Sequence, residues 1–165
     1  MANSFTQIYI QYVFTVKGKQ NLIPEKHNQD LQKYIRGIAE KRDAIVVAIN
    51  NTTDHMHILV SLNPKYSISK LIQEIKSSSS KYINEKKWVK GKFQWQNGYG
   101  VFSYSKSHIK DVIKYIERQQ HHHQNRSFRE EYIAILEKYQ IEYNEYIYIC
   151  HSIDGLFYSR YFYFW

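Results

Sequence analysis

The sequence predicts an α+β fold with an antiparallel sheet, and three observations carry that prediction. Stretches rich in β-branched and aromatic residues stand at 7–16, 44–49, 54–62 and 99–104. Between them lie segments whose apolar residues recur at i, i+3, i+4 and i+7, the spacing of a helix with one buried face. The two kinds follow each other as β-α-β-β-α-β, the split βαβ order of ferredoxin-like domains.

The first strand is Gln7 to Val16, ended by a turn at Lys17-Gly18-Lys19. Pro24 stands where a helix can begin, and Leu31, Tyr34, Ile35 and Ile38 form the apolar stripe of a helix within 25–42. Ala44 to Ile49 is the second strand. Asn50-Asn51-Thr52-Thr53-Asp54 is turn chemistry, so the strand that follows is the far arm of a hairpin. Pro64 stops that strand, and Ser67 can cap a second helix carrying Ile68, Leu71, Ile72 and Ile75. This helix runs through Ser77-Ser78-Ser79-Ser80 to Ile83. Four serines are poor helix formers; they read either as a solvated, frayed turn or as a small-residue surface that a phosphate backbone can approach. Tyr99 to Tyr104 is the fourth strand. In such a sheet both helices share one face, and the other is open to a ligand or partner. A further helix follows, capped by Ser105 or Ser107, with Ile109, Val112, Ile113 and Ile116 on its apolar side. A last one begins at Ser127 and carries Phe128, Tyr132, Ile135 and Leu136.

A chain of 165 residues points to one domain with a real core. A single cysteine, Cys150, rules out an intramolecular disulfide framework and makes a reducing cytoplasm the expected location. The N-terminal residues lack the pattern of a signal peptide, and no apolar run is long enough for a membrane span. The net charge of +8 favours polyanionic partners through counterion release. Lys86, Lys87, Lys90 and Lys92 are interleaved with Trp88, Phe93 and Trp95, a mixture suited to single strands, whose bases stack while their phosphates need cations. A solvated loop is the plain alternative.

The centre of the chain is Asp54-His55-Met56-His57-Ile58-Leu59-Val60. Side chains alternate along a strand, so His55 and His57 share a face, about 7 Å apart, and can take one metal ion between them. Surface histidines at a strand end are the bland alternative. On the later helix, Tyr115 and Gln119 lie together beside the apolar stripe, one turn apart, and His122 continues the line. Taken alone, Tyr115 reads as a helix-edge ring packing on the core.

His55-Met56-His57 resembles the His-hydrophobic-His motif of HUH endonucleases. Tyr115-Ile116-Glu117-Arg118-Gln119 is similar to the tyrosine-helix motif of their single-tyrosine transposases, the minimal bacterial insertion-sequence type and the REP-associated tyrosine transposases. Gln11-Tyr12-Val13-Phe14, Ile75-Lys76-Ser77-Ser78-Ser79 and the run from Trp95 to Ser103 add to the likeness, which spans about Thr6 to Tyr143. It implies a metal-dependent single-stranded DNA endonuclease and strand transferase acting through a 5′-phosphotyrosine at hairpin-bearing element ends. Tyr115 would be the nucleophile. His55, His57 and Gln119 would hold one divalent ion, Mg²⁺ or Mn²⁺, with Asp54 supporting them. DNA contacts would come from Lys17, Lys76, Ser77, Ser78, Lys86, Lys87, Lys90, Lys92, Trp95, Arg118 and His122, with Arg126 and Arg129 adding to them. A homodimer is expected, in which the tyrosine helix can complete the partner's site.

Three adjacent histidines, His121-His122-His123, cannot all face one ion from a helix end. They read as a polar end near phosphates. The transposase domain is expected over 1–145. The tail 146–165 departs from the family and holds nine aromatic residues; its role is open. Two other readings compete. A non-catalytic nucleic-acid-binding module on the same sheet leaves the histidines and Gln119 unexplained. A zinc hydrolase lacks a carboxylate at suitable spacing.

Overall fold

The β-branched runs pair edge to edge into four strands: β1 (Tyr9–Thr15), β2 (Ile45–Asn51), β3 (His55–Ser61) and β4 (Gly100–Tyr104). The computed structural model describes residues 5–18, 22–119 and 127–143. The sheet order is β2-β3-β1-β4, and every pairing is antiparallel. This is the expected ferredoxin-like arrangement, with the histidine strand interior. Among the described residues the helices are α1 (Asn28–Glu40), α2 (Ile68–Glu85), α3 (Ile109–Glu117) and α4 (Phe128–Lys138). Single 3-10 turns, Glu25–His27 and Lys106–His108, lead into α1 and α3.

One face of the sheet sends Tyr12, Phe14, Met56, Ile58 and Val60 into the main core, where Leu31 and Ile35 of α1 and Leu71, Ile72 and Ile75 of α2 meet them. Removing side chains of this size from water stabilises by about 1.5–3 kcal/mol each. The opposite face corrects the expectation of an open surface. Leu59 and Ala48 pack there against Ile109, Val112 and Ile116 of α3, and Val13 and Phe102 against Leu136 of α4. Burial of β3 from both sides explains its nearly unbroken apolar run.

Local chemistry sets the helix starts. The Ser67 hydroxyl accepts from the Lys70 amide as expected. Ser127 and Glu130 form a reciprocal capping box, so α4 begins at a fixed place and orientation. The four serines are not one surface. Ser79 is fully buried; its hydroxyl donates to the Ile75 carbonyl and accepts from the Trp95 indole at 2.8 Å. Trp95 in turn packs edge-on against Phe14 and Phe93. The end of α3 is tied down by Asn50, whose side-chain amide donates to the carbonyls of Ile116 and Glu117 at 2.9 and 3.2 Å.

Candidate active site

Alternation along β3 sends His55 and His57 to the face covered by α3 and α4, and both are completely buried. Their rings stand nearly perpendicular with centroids 5.2 Å apart. The hairpin turn before β3 orients the first. The Nδ1–H of His55 donates to the Asp54 carboxylate at 2.7 Å, and the Thr52 hydroxyl donates to the same carboxylate oxygen at 2.8 Å. A carboxylate on Nδ1 leaves Nε2 as the coordinating nitrogen, the arrangement common behind metal-binding histidines. The Phe128 ring, 4.5 Å away between centroids, covers His55 from the start of α4.

His57 is oriented differently. The Gln11 amide nitrogen donates to its Nδ1 at 2.9 Å, and the Gln11 carbonyl accepts from the Tyr104 hydroxyl at 2.5 Å. A donor on Nδ1 puts the ring proton of the neutral imidazole on Nε2, which lies 3.4 Å from a Glu131 carboxylate oxygen. Turning the Gln11 amide over would reverse this: its oxygen would accept from Nδ1–H and release Nε2 for a ligand.

Tyr115 on α3 and Gln119, two residues past the end of that helix, stand over the two imidazoles; the expected single helix through both stops at Glu117, with Arg118 as its C-cap. The Tyr115 ring meets His57 edge-on at 6.0 Å between centroids, and the Gln119 amide oxygen is 3.4 Å from His55 Nε2. Glu131, in the first turn of α4, joins them all. Its carboxylate accepts hydrogen bonds from the Tyr115 hydroxyl and from the Gln119 amide nitrogen, and lies 3.6 Å from His55 Nε2. Burial pushes the Glu131 carboxyl up. The nearby His57 imidazole, the Tyr115 and Gln119 hydrogen bonds and His55 outweigh that, and the net shift is downward, so the group is a carboxylate at neutral pH.

The donor atoms of His55, His57 and Glu131 all lie within 4.8 Å of one another. Two imidazoles and a carboxylate, with an amide oxygen beside them, suit a divalent ion that accepts mixed nitrogen and oxygen donors, such as Mn²⁺ or Mg²⁺. The structure therefore brings together His55, His57, Tyr115, Gln119 and, behind His55, Asp54. Glu131 was missed by the sequence reading. Its signal was present: it stands three residues after Phe128 and four before Ile135, an acid within an apolar stripe.

Of the residues expected to touch DNA, Lys17, Lys76, Ser77, Lys92 and Trp95 share one groove and the other described ones lie outside it. Lys17, Ser77, Lys86, Lys87, Lys90, Lys92 and Arg118 are exposed, and Ser78 is half-buried. The half-buried Lys76 donates from Nζ to the carbonyls of Gln96 and Gly98, both at 2.6 Å, and burial lowers its pKa to about 8. Together with Lys17, Ser77 and Lys92 it lines a groove running past Gly98 and Tyr99, away from the histidines. Trp95 lines the same groove but is only 5% exposed, and its ring packs mainly in the core against Phe14 and Phe93. Arg129 is exposed on α4. His121 to His123, Arg126 and the tail 146–165 lie outside the described residues.

The chain is similar to known transposases. Residues 4–119 match the family model described as "Transposase IS200 like". The ISDra2 transposase TnpA of Deinococcus radiodurans is 24% identical over 120 residues, covering 68% of this chain and 84% of that protein. Among solved structures, a transposase from Deinococcus radiodurans R1 superposes with a TM-score of 0.57 at 19% identity, over 72% of this chain and 95% of that one. A REP-associated tyrosine transposase bound to a REP hairpin gives 0.54 at 15% identity, over 74% and 73%. These two share the fold. With the family model covering well over half of its length, the chain belongs to the IS200-like transposases.

Proposed function

We propose that this transposase cuts and rejoins single-stranded DNA at hairpin-bearing element ends through a 5′-phosphotyrosine on Tyr115. The observation that carries this reading is the meeting of the Tyr115 hydroxyl with the His55, His57 and Glu131 cluster inside one chain. The DNA hairpin held by a structural neighbour supports the choice of substrate.

His55, His57, Glu131 and Gln119 would hold a divalent ion, Mg²⁺ or Mn²⁺, which supplies Lewis-acid polarisation of the scissile phosphate. The chain does the rest. A free phenol titrates near 10 and is a weak nucleophile at neutral pH; the hydrogen bond to Glu131 orients the Tyr115 oxygen and gives its proton a carboxylate to move to. Attack on phosphorus breaks the bond to the 3′-oxygen, leaving a free 3′-OH and the phosphotyrosine. A second 3′-OH then attacks that diester, so the bond energy is kept and no nucleotide is consumed. Asp54 and Gln11 hold the imidazoles, and Asn50 holds the end of α3. The basic surface lysines would carry the strand. A homodimer and a cytoplasmic location, where its DNA lies, belong to the same reading. A purely binding role leaves the buried histidine–glutamate cluster without a purpose.

The test is a denaturing gel of the protein with labelled single strands from its own genomic flanks, with and without Mn²⁺. A covalent protein–DNA band that needs both the metal and the Tyr115 hydroxyl is expected. A band that persists in Tyr115→Phe removes Tyr115 as nucleophile, and binding with no covalent product under any metal removes the enzyme.

A further inference from the structure

Between α3, α4 and the end of β4 lies a cavity of about 630 Å³ that the chemistry above does not use. Tyr115 and Glu131 are among its lining residues, so it adjoins the proposed nucleophile. Val112 and the rings of Tyr104 and Tyr139 give it apolar surface, and Ser103, Ser105, His108 and the exposed Asp111 and Lys138 give it polar surface. Tyr104 and Tyr139 meet edge-on at 5.8 Å, offering a ring face and a ring edge to whatever enters. Tyr104 also holds Gln11, the residue behind His57, which makes the cavity wall continuous with the histidine cluster.

We infer that this cavity receives one unpaired nucleobase from the nucleotide adjoining the scissile phosphate. The inference rests on the nuclease reading. A strand whose phosphate lies beside the Tyr115 oxygen must place its neighbouring sugar and base within one nucleotide of that point, and the cavity adjoins it. The lining sets two carboxylates, Asp111 and Glu131, against one lysine, Lys138, and His108, among aromatic and aliphatic side chains, so it suits an uncharged group better than a phosphate. A flat, uncharged ring with polar edges fits: its faces meet aromatic and aliphatic side chains, and its edge meets the Asp111 acceptor and the Lys138 donor. A base drawn in this way is out of any duplex stack, in keeping with a single-stranded substrate. It would also turn the sugar-phosphate backbone so that the phosphorus faces Tyr115.

The test is an abasic scan. Strands lacking the base at each successive position around the mapped cleavage site are given to the wild-type protein, and single-turnover formation of the covalent adduct is timed. One position directly beside the cut should slow about tenfold or more, the order expected for losing one stacked base, while positions three or more nucleotides away change little. Ala134→Trp, which fills the cavity from an exposed helix position, should slow the intact strand comparably and lose no more with the abasic one. In the Tyr115→Phe protein, 2-aminopurine at the sensitive position should change its fluorescence on binding, a readout that needs no cleavage. A flat scan with normal adduct formation on the intact strand overturns the cavity assignment and leaves the nuclease standing. The absence of any adduct overturns both. The scan uses unaltered protein, so it decides the matter even if Ala134→Trp does not fold.

Discussion

Replacing Glu131 by Gln tests whether the acid of α4 is a metal ligand. The substitution keeps the shape and removes the charge. In the metal-free protein the amide oxygen can still accept from Tyr115 or Gln119, so the loss there is that of charge-assisted hydrogen bonds becoming neutral ones, about 1 kcal/mol. The effect on metal binding is larger. Groups that only orient a ligand cost 10–100-fold in affinity when removed. Glu131 lies 3.4 and 3.6 Å from the two imidazole nitrogens and is itself a donor, so about a hundredfold is a floor. Mn²⁺ at a hundred times the wild-type Kd stabilises the folded state by about 2.7 kcal/mol, or about 5–11 °C in melting temperature for a chain of this size. The same concentration only equals the Kd of the variant and gives about 0.4 kcal/mol, which is about 1–2 °C. The assay is thermal melting of both proteins over a Mn²⁺ titration. Equal metal-induced shifts would refute the assignment of Glu131 as a ligand.

Three other outcomes are expected. Gln11→Leu removes the amide that, turned over when the ion binds, would accept from His57 Nδ1–H and release Nε2; calorimetric titration should show Mn²⁺ affinity reduced about 10–100-fold with the fold unchanged by circular dichroism. A Cβ added at Gly100 would stand 2.6 Å from the Tyr132 hydroxyl and 2.8 Å from its ring, next in sequence to Glu131; Gly100→Ala should cost about 1–3 kcal/mol in urea unfolding and slow adduct formation as α4 shifts. Lys76 titrates near 8 when folded, against 10.5 for an ordinary lysine, so the unfolded chain binds more protons between these values. Its contribution to stability therefore grows as pH rises from about 8 towards 10.5 and is lost as pH falls through about 8; the stability difference between wild type and Lys76→Met, measured by urea unfolding at pH 7 and pH 10, should follow that direction.

What could be read from the sequence is what depends on short-range periodicity. Two-residue alternation put His55 and His57 on one face, because that pattern is a property of a single strand; the helical spacing placed Tyr115 on α3, while Gln119 reaches the same site from beyond the C-cap at Arg118. Glu131 left a local trace, an acid within the apolar stripe of α4, but next to Glu130 in a first helical turn it looks like ordinary dipole chemistry, and only the docking of α4 over the histidines gives it a role. Ser79 and Trp95 failed in the same way. Each resembled a surface residue in its own segment, and their hydrogen bond across 16 positions makes them interior. The covered second face of the sheet follows from α3 and α4 folding back, a consequence of tertiary packing that strand order alone leaves undecided.

The clasp between Asn50 and the last carbonyls of α3 ties two distant parts of the chain together. It fastens the helix that carries Tyr115 to β2, the neighbour of the histidine strand, so folding itself brings the phenol and the two imidazoles to one place. Under the proposed reading, these are the hydrogen bonds that α3 must give up before it can serve the site of a second copy, so the firmness of this fold and any sharing of sites in a homodimer are set by the same side chain.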